Sequence, residues 1–92
     1  MKKKNQSNHP KQSPNVVTGS FNGDLILFHQ LSKQYYMLNG VAARIWQFCN
    51  GSNPVSEIVG LIGKDFDSPP EQIAADVTQT VEGFNELGLV ET

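Results

Sequence analysis

Between Val16 and Leu38 the apolar residues fall into three short runs separated by polar turn residues; beyond Asn39 they recur at spacings of three and four. The first run, Val16, Val17 and Phe21, leads into Asn22-Gly23, the pair that supplies positive φ at both central positions of a type I′ hairpin turn. The second is Leu25-Ile26-Leu27-Phe28. After His29-Gln30-Leu31-Ser32 a third begins at Lys33 and holds Tyr35, Tyr36, Met37 and Leu38. Three consecutive strands joined by short loops predict an antiparallel meander.

The later spacing predicts three helices. Asn39 can cap a first one that carries Val41, Ala42, Ile45, Trp46 and Cys49 inward and stops at Asn50-Gly51. A second is expected to start at Ser52 or Asn53 with Pro54 at its first position, burying Val55, Ile58, Val59, Ile62 and Phe66. Gly60 and Gly63 weaken it by roughly 1 kcal/mol each relative to alanine. For the third, Ser68-Pro69-Pro70-Glu71 reads as a capping box, Ile73, Val77, Val81, Phe84 and Leu87 form the apolar stripe, and Gly88 is expected to close it. The fold class is therefore α+β, a three-stranded antiparallel sheet followed by three helices, similar to a winged helix-turn-helix.

Ninety-two residues, 38% of them apolar, support one domain with a modest core. Residues 1–13 hold Lys, Asn, Gln, Ser and Pro and are expected to form a disordered, solvated tail, leaving 14–92 as the domain. Met-Lys-Lys-Lys begins like a secretory signal, but no apolar stretch follows, so neither export nor a membrane span is expected. The lone cysteine, Cys49, can make neither a disulfide framework nor a cysteine zinc knuckle, and a reducing cytoplasm fits. Four of the seven cations lie in the tail, so Lys33, Arg44 and Lys64 stand against all nine acids and the folded part is acidic.

Catalytic chemistry finds little support. The histidines are His9, in the tail, and His29, at a strand end, and both read as ordinary surface groups with no nucleophile beside them. Cys49 falls in register with Ile45 and Trp46 and reads as a buried, inert thiol. Asp65 and Asp67 flank Phe66 at a helix end without the ligand number of a calcium site, and the scattered glycines form no phosphate loop. No enzyme activity, cofactor or metal is expected.

The winged-helix outline raises the question of DNA. The third helix carries Glu71, Asp76, Glu82 and Glu86 and no lysine or arginine, and phosphate would repel it. A protein interface is the better expectation. The third strand lies at a sheet edge, and Gln34-Tyr35-Tyr36-Met37-Leu38 has neither the proline nor the charges that usually blunt such edges, with Lys33 alone at its start. The alternative is an aromatic strand that serves only the core.

Gly23-Asp24-Leu25-Ile26-Leu27-Phe28, then Tyr35-Tyr36-Met37-Leu38-Asn39-Gly40-Val41-Ala42-Ala43-Arg44-Ile45-Trp46, then Gly51 and Val55-Ser56-Glu57-Ile58, resemble the PqqD-like family, the recognition elements for ribosomally made and modified peptides. The resemblance covers roughly residues 16–91. It implies a non-catalytic domain that binds the leader segment of a precursor peptide as an added antiparallel strand and presents it to a tailoring enzyme. The implied site has a strand wall of Lys33, Gln34, Tyr35, Tyr36, Met37 and Leu38 and a helix wall of Asp76, Val77, Thr80, Val81 and Phe84. Asp76 and the other acids would select a basic leader, or would only solubilise the helix. Within the family the run from Tyr35 to Trp46 looks most like stand-alone elements of lasso-peptide pathways, which partner a leader peptidase. The alternatives are a PQQ-type peptide chaperone for a radical enzyme and a winged-helix DNA-binding regulator.

Overall fold

The computed structural model describes residues 9–91; of the tail expected over residues 1–13, residues 1–8 lie outside them. The elements run β1 (Lys11–Gln12), β2 (Val16–Phe21), β3 (Asp24–His29), β4 (Gln34–Leu38), α1 (Gly40–Phe48), α2 (Val55–Asp65), α3 (Pro70–Glu86) and β5 (Val90–Glu91). The expected meander is the sheet β2-β3-β4, antiparallel throughout. Asn22 and Gly23 take φ of 55° and 85°, the left-handed pair that a type I′ turn demands. Lys33, expected to open the third strand, instead has φ of 65° and donates its N–H to the His29 carbonyl at 2.8 Å. It closes the turn before β4.

Register sorts the sheet into two faces. Thr18, Leu27 and Tyr36 share one row, with Leu25 and Leu38 beside them, and this face meets the helices. The alternate row is Val17, Phe28 and Tyr35. Leu27, Ile45, Ile58, Val77 and Leu89 are fully buried, each such side chain contributing roughly 1.5–3 kcal/mol. Trp46 meets Phe84 edge to face, ring centroids 5.7 Å apart. α1 is central: it packs on β3 and β4 on one side and on α2 and α3 on the other.

Asn39 caps α1 as expected, its side chain accepting from the Ala42 N–H at 3.0 Å. The other two starts differ. Asn53 does not cap α2; its Nδ2 donates to the Phe48 carbonyl at 3.0 Å and so satisfies the end of α1, and Pro54 takes the cap position. α3 begins at Pro70 with Pro69 as its cap and no side-chain bond, so Ser68 sits one residue too early for a capping box. Gly88, φ 74°, closes α3 in a Schellman motif: Leu89 N–H donates to the Phe84 carbonyl and Gly88 N–H to that of Asn85. The chain reverses there, so Leu87, expected in the stripe, is exposed and Leu89 is buried in its place.

Residues 10–13, expected in the tail, are stitched to the body. β1 pairs with β5, Pro10 and Ser13 are buried, and the backbone N–H groups of Gln12 and Ser13 donate to the Cys49 and Leu89 carbonyls, each at 2.9 Å. Their backbone groups find partners just after α1 and just before β5 that no local pattern announces. His29 is buried rather than superficial, its Nδ1 accepting the Leu31 and Ser32 N–H groups at 3.2 and 3.3 Å. Among the described residues no helix is long and apolar enough to cross a membrane.

Candidate functional site

β4 pairs with β3 on one side, and no strand among the described residues pairs with its other edge. Along an edge strand of an antiparallel sheet, alternate N–H and C=O groups point away from the neighbour and stay open to an incoming chain. Alternation sends Tyr36 and Leu38 towards the helices, half-buried and buried, while Tyr35 and Met37 face outward at 71% and 60% exposure. Gln34 is exposed at the start of the strand and Lys33 is exposed in the turn before it. Tyr35 is not free to swing at random: its ring lies 4.6 Å from that of Phe28 on the neighbouring strand.

The helix wall divides. Val77, Val81 and Phe84 are almost fully buried in the core, and Asp76 is exposed with Thr80 half-buried beside it. What α3 shows to solvent in this region is therefore Asp76 and part of Thr80. Asp76 and Val77 join Val41, Ile62, Phe66, Ser68 and Ile73 around a cleft of about 90 Å³ between the three helices. Val41 stands in the first turn of α1, after β4 and the cap Asn39, and is the lining residue that lies nearest to β4 along the chain. Val41, Ile62, Phe66, Ser68 and Ile73 were not expected in a site. Spacing assigns the four apolar residues to helix cores and the serine to a cap; Val41, exposed at the margin of the α1 stripe, departs most from that assignment.

The reactive groups are occupied structurally. Cys49 is completely buried, its thiol donates to the Ile45 carbonyl at 3.2 Å, and burial pushes its pKa up to about 12. Asp65 accepts from Arg44 Nη2 at 2.6 Å and from Nε at 3.1 Å, and the guanidinium lies over the Phe48 ring. Asp65, at the solvent-exposed end of α2, thus ties α2 to α1. The described residues include no cluster of three or more His, Cys, Asp or Glu that could hold a metal ion.

An open strand edge and an apolar cleft are binding features. Residues 24–90 match the family described as coenzyme PQQ synthesis protein D, PqqD. The chain belongs to the PqqD family. Its fold is shared by TbiB1 in complex with the TbiA(beta) leader peptide, with a TM-score of 0.79 and 23% identity over 88% of this chain and 94% of that one. Lasso peptide synthetase B1 complexed with the leader peptide is similar too, with a TM-score of 0.81 and 17% identity over 91% and 99%. At these identities the likeness is one of fold. None of the curated proteins matches this PqqD-family chain significantly in sequence.

Proposed function

We propose that the chain is a non-catalytic adaptor: it captures the leader segment of a ribosomally made precursor peptide and presents it to a tailoring enzyme, in a lasso-peptide pathway. The open, proline-free edge of β4 carries this reading. Strand addition there provides backbone hydrogen bonds for affinity and alternate side-chain pockets for selectivity. The proposed site comprises Lys33, Gln34, Tyr35, Tyr36, Met37 and Leu38 along the strand and Asp76 and Thr80 on α3. Val77, Val81 and Phe84 support it from the core. Membership of the PqqD family supports the reading, as do the two structural neighbours, both of them solved with leader peptides. The recognition domain is taken as residues 14–92, with residues 10–13 strapped to it through β1, and its place of work as the cytoplasm, where precursors are made.

The family description, which names coenzyme PQQ synthesis, supports a second reading, in which the captured precursor passes to an enzyme of that synthesis; the resemblance implies a radical enzyme there. Capture is common to both; the receiving enzyme differs. Amide NMR titration of the chain tests capture, using the leader of the precursor encoded beside its gene and a DNA duplex at low salt as control. Shifts concentrated on residues 33–38 and 73–84 with peptide alone are the expected outcome. Shifts with the duplex alone would overturn the proposal in favour of a regulator.

A further inference from the structure

His29 is one of two buried polar residues among the described residues, and it is not among those that line the helix cleft. It ends β3 where three strands come together: its register partners are Val16, which opens β2, and Gln34, which opens β4. Its carbonyl accepts the Lys33 N–H that closes the turn, and the next residue, Gln30, donates its N–H to the Asn15 carbonyl, both at 2.8 Å. The backbone does not satisfy the whole turn. Leu31 and Ser32 donate their N–H groups to a side chain, the Nδ1 of His29, at 3.2 and 3.3 Å.

The other edge of the ring meets the end of α3. Gly88 lies so close that a Cβ in its place would stand 3.3 Å from Nε2 and 3.9 Å from Cδ2. Gly88 is also left-handed, φ 74°, in the turn that closes α3. Any other residue there would be strained twice, by its conformation and by the ring. The imidazole is therefore a wedge between the turn that starts β4 and the turn that ends α3, the two elements that carry the proposed capture site.

The chemistry of this wedge is restrictive. An imidazole nitrogen accepts N–H groups only through its lone pair, so Nδ1 carries no proton and the neutral ring has its hydrogen on Nε2, beside Gly88. A proton on Nδ1 would set three donors against one another and leave the Leu31 and Ser32 N–H groups without a partner. Histidine is the side chain that gains a proton just below neutral pH. The charged groups on the surrounding segments are Lys33 in the turn, Glu82 and Glu86 in the last turns of α3, and Glu91 of β5 opposite Lys11; β2 and β4 carry none, and Asp24 stands at the far end of β3. Those near the ring are exposed and screened by water, whereas the two N–H groups meet it directly.

Resting on the capture reading, we infer that His29 is a positioning residue for peptide capture: Nδ1 holds the β3-β4 turn, and the ring against Gly88 sets the start of the β4 edge relative to the end of α3. The neutral ring keeps the edge in register for the incoming strand, and protonation loosens it. Capture is therefore stronger above neutral pH than below it.

The test measures binding of the full chain to the labelled leader peptide of the neighbouring precursor by fluorescence anisotropy, at about pH 8 and about pH 5.5, which span the histidine range. His29→Asn offers Oδ1 as an acceptor near the Nδ1 position and has no proton to gain, and His29→Leu fills the space without an acceptor. His9 is kept in every variant, so a difference between them belongs to His29. The expected result is wild-type affinity about tenfold weaker at the lower pH, and His29→Asn within about threefold of wild type at the higher pH and unchanged at the lower. His29→Leu, folded by circular dichroism, is expected to bind about tenfold more weakly at both. Should His29→Leu not fold, the comparison of wild type with His29→Asn decides alone. Wild type and His29→Asn responding alike to pH, both flat or both falling, overturn this inference and leave capture standing, as does wild-type affinity in folded His29→Leu. Failure of wild type to bind leader at the higher pH overturns the capture reading and this inference with it.

Discussion

The two faces of the β2-β3-β4 sheet are built from the same residue types and put to opposite uses. Leu27 is completely buried against the helices, while Tyr35 and Met37 on the other side are mostly exposed. Strand alternation alone makes both faces, so hydrophobicity does not say which is the core. The helices decide, because α1 packs on β3 and β4 from one side only. Apolar surface on the covered side stabilises the fold; on the uncovered side it is available for recognition.

The sharpest way to break this contrast is to truncate one residue on each face. Leu27→Ala is expected to cost roughly 2–5 kcal/mol in chemical denaturation, through lost burial and the cavity left behind. Ile26→Ala, one residue away on the open face, is expected to cost about 1 kcal/mol or less. Equal losses would mean that the outer face is covered in the isolated chain.

Cys49 probes the covered side by pH. Burial keeps its thiol protonated up to about 12, against an ordinary value of 9.0. The unfolded chain releases that proton first, so the associated stability is full below pH 9.0 and is lost as pH rises from there towards 12. Thiol labelling at pH 8 should proceed only as fast as the chain opens, and rapid labelling in folded protein would contradict the packing of α1.

Smaller effects sharpen the boundary between core and site. Asn39→Ala removes the α1 cap and is expected to cost about 1 kcal/mol, with weaker leader capture because the cap fixes the end of β4. Arg44→Ala, which breaks the partly exposed pair with Asp65, is expected to cost less than about 1 kcal/mol and to leave capture unchanged in fluorescence anisotropy. Least of all, Val17→Lys, at a half-exposed position on the open face, is expected to shift stability by about 0.5 kcal/mol or less in chemical denaturation.

Much of this organisation was legible along the chain. Asn22-Gly23, the Asn39 cap and Gly88 work through the conformation of a few adjacent residues, so pattern reading located the hairpin turn, the start of α1 and the end of α3. The strand half of the candidate site was legible for the same reason, as Gln34 to Leu38 displays its alternation and its lack of charge directly. The helix half was only partly so. Periodicity put Val77, Val81 and Phe84 on one face, but the same stripe that suggested a groove wall is what the core consumes.

By itself, then, the sequence determined the α+β order, the meander, the three helices and an uncharged edge strand, because turns, caps and periodicity are local properties of neighbouring residues. Tertiary structure alone decided that Lys11 and Gln12 pair with the far end of the chain, that Asn53 serves α1 rather than α2, that His29 is buried and that Val41 borders a cleft beside Asp76. It also decided which face of the sheet would be covered. These outcomes depend on which distant backbone groups and apolar surfaces meet once the helices dock, and no short window of sequence contains both partners.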